Sequence, residues 1–111
     1  MAFQNIVGNQ LGQAAITTSY APVYTVPPVT RAYVKDFDIC NTTSSAAYVY
    51  VSFVLFGETA GTTNAVLYNA MIPPYSTLQW SGTQILSTGG TVQAKAAAAG
   101  CTITISGGEA V

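Results

Sequence analysis

Asp36 and Asp38 are the closest pair of carboxylates in this 111-residue chain. Two acids separated by one residue on a strand point to the same side, where they could share a divalent cation or act as an acid and base. Calcium needs about six or more oxygen ligands, and no further oxygen-rich cluster lies near them in the sequence. We therefore predict no metal site, and expect these carboxylates to pair with Arg31, Lys35 or a neighbouring subunit.

Other catalytic machinery is missing from the sequence. The chain contains no histidine, so neither a Ser-His-Asp nor a Cys-His arrangement can form. The nucleophile-elbow pattern and the phosphate-binding loop are absent too. We predict a protein that is not an enzyme, with no catalytic residue and no cofactor.

Cys40 and Cys101 are far apart in the chain and lack the CxxC spacing of metal and redox sites. The first residues, MAFQNIVGNQLGQAA, show neither the basic region nor the continuous apolar run of a signal peptide, so we expect assembly in a cytoplasm. A disulfide between strands remains a geometrical alternative, but a cytoplasm disfavours it. We expect two buried free thiols.

The composition excludes several classes of partner. Only 6% of the residues are charged and 50% are hydrophobic, whereas about 25% charged is usual in soluble domains. Three cations cannot neutralise a run of phosphates, so we predict no direct nucleic-acid binding. No apolar run approaches the roughly 18 residues of a spanning helix, which argues against the membrane. A surface so poor in charge favours a homo-oligomer partly covered by partners.

The pattern of elements predicts an all-β protein. β-Branched and aromatic residues come in short runs, separated by clusters of Gly, Pro, Asn and Ser. No segment combines helical spacing with helix caps. The candidate strands are 14–20, 23–26, 32–40, 47–56, 65–71, 77–80, 84–86, 91–97 and 102–106.

Alternation within two of these segments predicts their faces. In 47–56 both faces are apolar, which is typical of a strand buried on both sides, within the domain or against another chain. In 31–38 the apolar parity changes near Lys35 and Asp36. A β-bulge there would restore one inward face, leaving Lys35 and Asp38 outward and Arg31 near the start of the strand.

We expect three parts along the chain. Residues 1–13 are rich in Gln, Asn and Gly and are predicted to form an extended N-terminal arm. Residues 14–107 form a single domain, and residues 108–111 are a loose C-terminal tail.

The seven tyrosines fit either sugar stacking or interface packing. Tyrosine is common in strands and enriched at protein interfaces, whereas sugar binding also needs convergent polar side chains that a sequence cannot reveal. We favour interface packing and keep a glycan as the less favoured alternative. The candidate interface residues are Phe3, Ile6, Val7, Tyr20, Arg31, Asp38, Tyr48 and Tyr50.

The stretches YTVPPVTRAYVKDFDICNTTSSAAYVYV and NAMIPPYSTLQWSGTQILSTGGTVQAKAAAAGCTITISG resemble a group of small tailed-bacteriophage virion proteins. The likeness consists of turn and strand motifs over residues 22–107, and it carries no active-site residue. It implies one compact antiparallel β-sandwich, jelly-roll-like and of about eight strands, as in capsid decoration, neck and tail accessory proteins.

The expected function is that of a structural virion protein made in the host cytoplasm. The favoured role is a decoration or cement protein on the outer surface of the head, bound between subunits of the major capsid protein. The alternative is a neck, tail or fibre accessory protein, including a module that binds a host receptor or glycan.

Overall fold

Residues 6–110, which the computed structural model describes, form eight β-strands and no helix. This confirms the all-β prediction. The strands are β1 (Ile6–Ala15), β2 (Ala21–Thr25), β3 (Arg31–Asn41), β4 (Ala47–Val54), β5 (Ala65–Ile72), β6 (Thr77–Leu86), β7 (Thr91–Ala96) and β8 (Cys101–Ala110).

The strands form two four-stranded sheets. The first sheet has the order β1-β8-β3-β6 and the second has the order β2-β7-β4-β5. All neighbours in both sheets are antiparallel. This is the strand order of an eight-stranded jelly roll, in which two Greek keys place the strands in two packed sheets. The predicted antiparallel β-sandwich of jelly-roll type is confirmed.

The ends of the domain differ from the predicted boundaries. Residues 6–13 belong to β1, which pairs along β8 from Ile6 opposite Ala110 to Ala15 opposite Thr102. β8 likewise continues to Ala110, through the residues predicted to be a loose tail. Ladder hydrogen bonds use only backbone groups, so a segment rich in Gly and Gln can form an edge strand. Residues 1–5 and 111 lie outside the described part.

A second difference concerns β6. The segments 77–80 and 84–86 were predicted as separate strands, yet Thr77–Leu86 is one continuous strand. The intervening Ser-Gly-Thr is a register irregularity within it, opposite the step from Val34 to Asp36 on β3.

The core lies between the inward faces of the two sheets. Phe37 of the first sheet stacks on Trp80, with ring centroids 5.1 Å apart, and meets Phe53 of the second sheet edge-on at 6.5 Å. Such pairs add about 0.5–1.5 kcal/mol beyond the burial of their area. Fully buried aliphatic side chains surround them: Val34, Ile39, Val49, Val51, Ile72, Val92, Ile103 and Ile105.

The predicted β-bulge is present in β3. Val34 and Asp36 are two positions apart, but they face adjacent residues of β8. Lys35 is therefore the extra residue, and its side chain is exposed. Because the bulge absorbs one residue, Val34 and Phe37 both point inward and are fully buried.

β4 is buried on both faces only in its second half. Val49 and Val51 point into the core, whereas Tyr48 and Tyr50 lie on the outer face. Farther along, the outward Ser52 is also buried, and its Oγ donates to the carbonyl oxygen of Gly61 at 3.5 Å. The segment between β4 and β5 thus covers this half, so the same chain provides the second cover.

Asn41, at the end of β3, joins two turns. Its side chain is fully buried, and Nδ2 donates to the carbonyl oxygens of Ser45 at 2.8 Å and of Ile72 and Pro73 at 3.2 Å. Its Oδ1 accepts from the backbone N–H of Thr43 at 3.0 Å and from its hydroxyl at 2.7 Å. A buried amide with every polar atom paired fixes both turns.

Gly107 is expected to be required for the bulge. A Cβ at this position would meet the carbonyl oxygen of Tyr33, a backbone atom that cannot move aside. We expect Gly107→Ala to lower the free energy of unfolding by about 1–3 kcal/mol, the usual cost of overpacking. Gly61→Ala is the control, since nothing lies within 4 Å of its added Cβ. Urea unfolding that showed equal effects for the two variants would contradict the assignment.

Tyr24 is expected to make the fold sensitive to alkali. Burial first, and then its hydrogen bond to Glu109 at 2.5 Å and the charge of that carboxylate, raise the pKa of Tyr24 above its ordinary value of about 10. The unfolded chain releases this proton first, so the contribution is complete below pH about 10 and is lost as the pH rises further.

The measurement is the free energy of unfolding by urea from pH about 8 to about 11. In Tyr24→Phe the free energy of unfolding should fall less steeply over this range, because the variant lacks the phenol proton whose release is coupled to unfolding. Tyr75→Phe, at a tyrosine that is 72% exposed and lies outside the Tyr24–Glu109 pair, is the matched control. Identical slopes for Tyr24→Phe and wild type would show that Tyr24 is not the coupled group.

Candidate protein-binding surface

The outer face of the second sheet carries a group of aromatic side chains. Tyr48 and Tyr50 point outward from β4 because the residues between and beyond them, Val49 and Val51, fill the core. In the ladder Tyr48 lies opposite Met71 of β5. Tyr50 lies opposite Lys95 of β7. Pairing of three strands therefore collects the group on one surface.

Contacts between the side chains hold the group in place. The rings of Tyr50 and Tyr68 meet edge to face with centroids 5.0 Å apart. The Tyr50 hydroxyl donates to Oδ1 of Asn69 at 3.1 Å. Lys95 Nζ lies 4.8 Å from the Tyr50 ring centroid and 5.0 Å from that of Tyr20. We call Tyr20, Tyr48, Tyr50, Tyr68, Met71 and Lys95 the aromatic patch.

The aromatic patch is open to solvent. Tyr68 is 58% exposed, Met71 is 54% exposed and Tyr48 is 41% exposed. Tyrosine and methionine are enriched at protein interfaces, and a ring fixed before binding loses little conformational freedom on contact. With Lys95 held over two rings, the patch offers a partner both apolar area and a cation.

The outer face of the first sheet is polar instead. Asp38 lies between Thr104 of β8 and Gln79 of β6, and Asp36 lies between Ser106 and Ser81. Thus the two carboxylates share the outer face, as the sequence predicts.

Lys35 Nζ, on the same outer face of the first sheet, donates to Thr83 Oγ1 at 2.9 Å. Within residues 6–110, no group of three or more Cys, Asp or Glu side chains is placed to hold a metal ion.

The cysteines are free thiols, as predicted. Cys101 points into the core and is 2% exposed, and burial, followed by the nearby Cys40, raises the pKa of its thiol. Cys40 lies opposite Thr77 on the outer face and is only half-buried, which corrects the expectation that both thiols are buried.

The structure brings together only part of the predicted interface. Tyr20, Tyr48 and Tyr50 belong to the aromatic patch. Arg31 is exposed at the start of β3 and Asp38 is half-buried on the same strand, in the other sheet. One contact surface therefore does not include all five residues.

Three further predicted interface residues come from the start of the chain. Phe3 lies outside the described residues. Ile6 and Val7 are the first residues of β1, where their backbones pair with β8.

Sequence reasoning missed Tyr68, Met71 and Lys95. The outward parity of Tyr48 and Tyr50 is visible in the sequence, but the partners of these residues depend on register. β5 contains extra residues opposite β4, and Asn69 adopts a positive φ of 54°. A hairpin register assumed without these irregularities would place the wrong side chains opposite the tyrosines.

No protein-family model, curated protein or solved structure matches this chain. Across residues 6–110, no helix has the length and apolar character needed to cross a membrane.

The aromatic patch is expected to support self-association. Tyr68→Ser should lower the free energy of unfolding by no more than about 1 kcal/mol, since it removes one exposed ring pair. It should weaken association by about tenfold or more, as loss of a central interface aromatic does. Sedimentation velocity over a range of concentrations measures this. Ile85→Ser, at a side chain 56% exposed on the other sheet, is the control. Equal association of both variants would exclude the patch.

Proposed function

We propose that this chain is a non-enzymatic structural subunit of a tailed-bacteriophage virion. In this proposal it coats the outer surface of the head as a decoration or cement protein. It binds other copies of itself and the major capsid protein, and bridges capsid subunits. The observation that carries the proposal is the exposed aromatic patch, in a chain with only 6% charged residues.

The energetics of the patch favour a protein partner. About 25 cal/mol is gained for each Å² of apolar area removed from water, and the rings are already positioned by their mutual contacts. Few charges surround them, so attraction to the partner is mainly apolar. Added salt screens charges but not apolar contacts, so salt should hardly release the bound protein.

The architecture is compatible with this role. Jelly rolls are frequent in viral capsid proteins, but they also occur in lectins and enzymes, so the fold alone does not fix a function. The resemblance of residues 22–107 to small virion proteins supports the virion assignment. The alternative location is the neck or tail, where the same patch would bind a different protein.

Loss of the protein should make particles fragile to heat. Particles assembled from a genome with a stop codon in this gene should form, but should release DNA at a lower temperature than wild-type particles. A protein that binds only the assembled lattice stabilises it by mass action. The measurement is dye-detected DNA release during a temperature ramp.

Add-back of purified protein provides the controls. Wild-type protein and Ile85→Ser should restore heat stability, whereas Tyr68→Ser should restore it only at higher concentration. Mutant particles that are as heat-stable as wild type, yet fail to join tails or attach to hosts, would contradict the cement role and favour the neck or tail.

A further inference from the structure

A hollow of about 360 Å³ lies on the outer face of the first sheet, away from the aromatic patch. Residues of all four strands line it: Gly8, Tyr33, Lys35, Thr83, Gly107 and Gly108. Half of these are glycines, so the floor of the hollow is backbone. A flat sheet face at this position would hold side chains instead.

The position of the glycines explains the hollow. Gly8, Gly108 and Tyr33 lie directly opposite one another on β1, β8 and β3. The neighbouring strands β1 and β8 therefore present no side chain beside the Tyr33 ring. The bulge lifts Lys35 out of the regular ladder next to this gap. Tyr33 and Lys35 thus become the walls.

The walls offer apolar contact and one positive charge. Tyr33 is half-buried and supplies an aromatic surface, while Lys35 is exposed and is the one charged residue in the lining. Its Nζ donates to Thr83 Oγ1 at 2.9 Å. An ammonium has three N–H groups, so it can bind an anionic group at the same time.

Hydrogen-bonding groups lie next to the hollow. The adjacent cross-strand row consists of Gln10, Ser106, Asp36 and Ser81, one from each strand of the sheet. An amide, two hydroxyls and a carboxylate in one row can donate to and accept from the hydroxyls of a ligand. The glycine floor beside the Tyr33 ring and this polar border suit a ring that has C–H groups on its face and hydroxyls at its rim.

We propose that this hollow binds an acidic saccharide. The sugar ring lies on the glycine floor against Tyr33, its carboxylate pairs with Lys35, and its hydroxyls face the row that contains Asp36. The charge of Lys35 distinguishes an acidic sugar from a neutral one. The site lies on the opposite outer face from the aromatic patch, so capsid binding and saccharide binding can fail independently.

Titration of the ¹⁵N-labelled full-length protein with sodium D-glucuronate tests the proposal. We expect saturable shifts of the amide signals of Gly8, Gly107 and Gly108 in the millimolar range. D-Glucose has the ring and hydroxyls without the carboxylate, and sodium acetate has the carboxylate without the ring. Each should bind about tenfold or more weakly than glucuronate.

Two variants examine the site directly. Lys35→Gln should weaken glucuronate binding by about tenfold or more, through the loss of a charge-assisted hydrogen bond. Gly8→Val should block binding while the fold persists, because the nearest atom to its Cβ is 4.0 Å away and valine favours strands. Lys95→Gln, which removes the same charge from the other sheet, should bind as wild type does.

Several results would overturn the proposal. Shifts that are absent from the three glycines, or that persist in Gly8→Val, would exclude the hollow. Equal binding of acetate would show an anion site only, and equal binding of glucose would remove the role of Lys35. Broadening confined to the glycine signals as the protein concentration rises, while the signals of the aromatic patch stay sharp, would show that a second copy of the chain occupies the hollow.

Discussion

The extra residue at Lys35 is the constraint on which the rest of the sandwich depends. β3 is paired on both sides, with β8 and β6, so its side-chain parity is imposed on the whole first sheet. A one-residue change of parity would exchange the core-facing and solvent-facing residues along the strand. The bulge prevents this by keeping Val34 and Phe37 inward, and Gly107 makes room for the displaced backbone. The same bulge places Lys35 beside the hollow that the glycines leave next to Tyr33, so the core and the proposed ligand site share one structural element.

The two outer faces follow from how the few charges are distributed. Most charged residues of β3 project from the first sheet, among the hydroxyls and amides of its neighbours. On the second sheet Lys95 lies over two tyrosine rings. A cation over an exposed ring keeps much of its hydration. The desolvation cost of this contact is therefore smaller than that of a buried ion pair. Each outer face therefore keeps at least one charged side chain in contact with solvent. The same side chains and their neighbours are also available to bind a partner.

Features that depend on local alternation could be predicted from the sequence. The inward faces of β3 and β8 and the bulge near Lys35 follow from the spacing of apolar residues alone. The role of residues 6–13 could not be predicted, because β1 pairs with β8 at the other end of the chain, and backbone pairing over that distance leaves no local pattern in the sequence. Only part of the aromatic patch could be predicted. The alternation in β4 indicates that Tyr48 and Tyr50 point outward, but the register of β5 determines which side chains lie beside them. Long-range register, more than strand propensity, limited the prediction.

The edge strands determine how such a domain can associate. β1, β6, β2 and β5 are the four edges, and each contains more residues than its partner at a register shift. β2 also carries Pro22, which has no N–H to donate, and Asn69 of β5 has a positive φ of 54°. Bulges and prolines at edges disrupt the regular row of backbone groups that another strand would need. Continuation of either sheet into a neighbouring molecule is therefore disfavoured at every edge.

Contacts with other proteins are left to the faces and the ends, and among the faces the aromatic patch offers the largest group of exposed rings. Association through this face buries side chains instead of extending a sheet, so it avoids the edge-to-edge strand pairing that leads to aggregation.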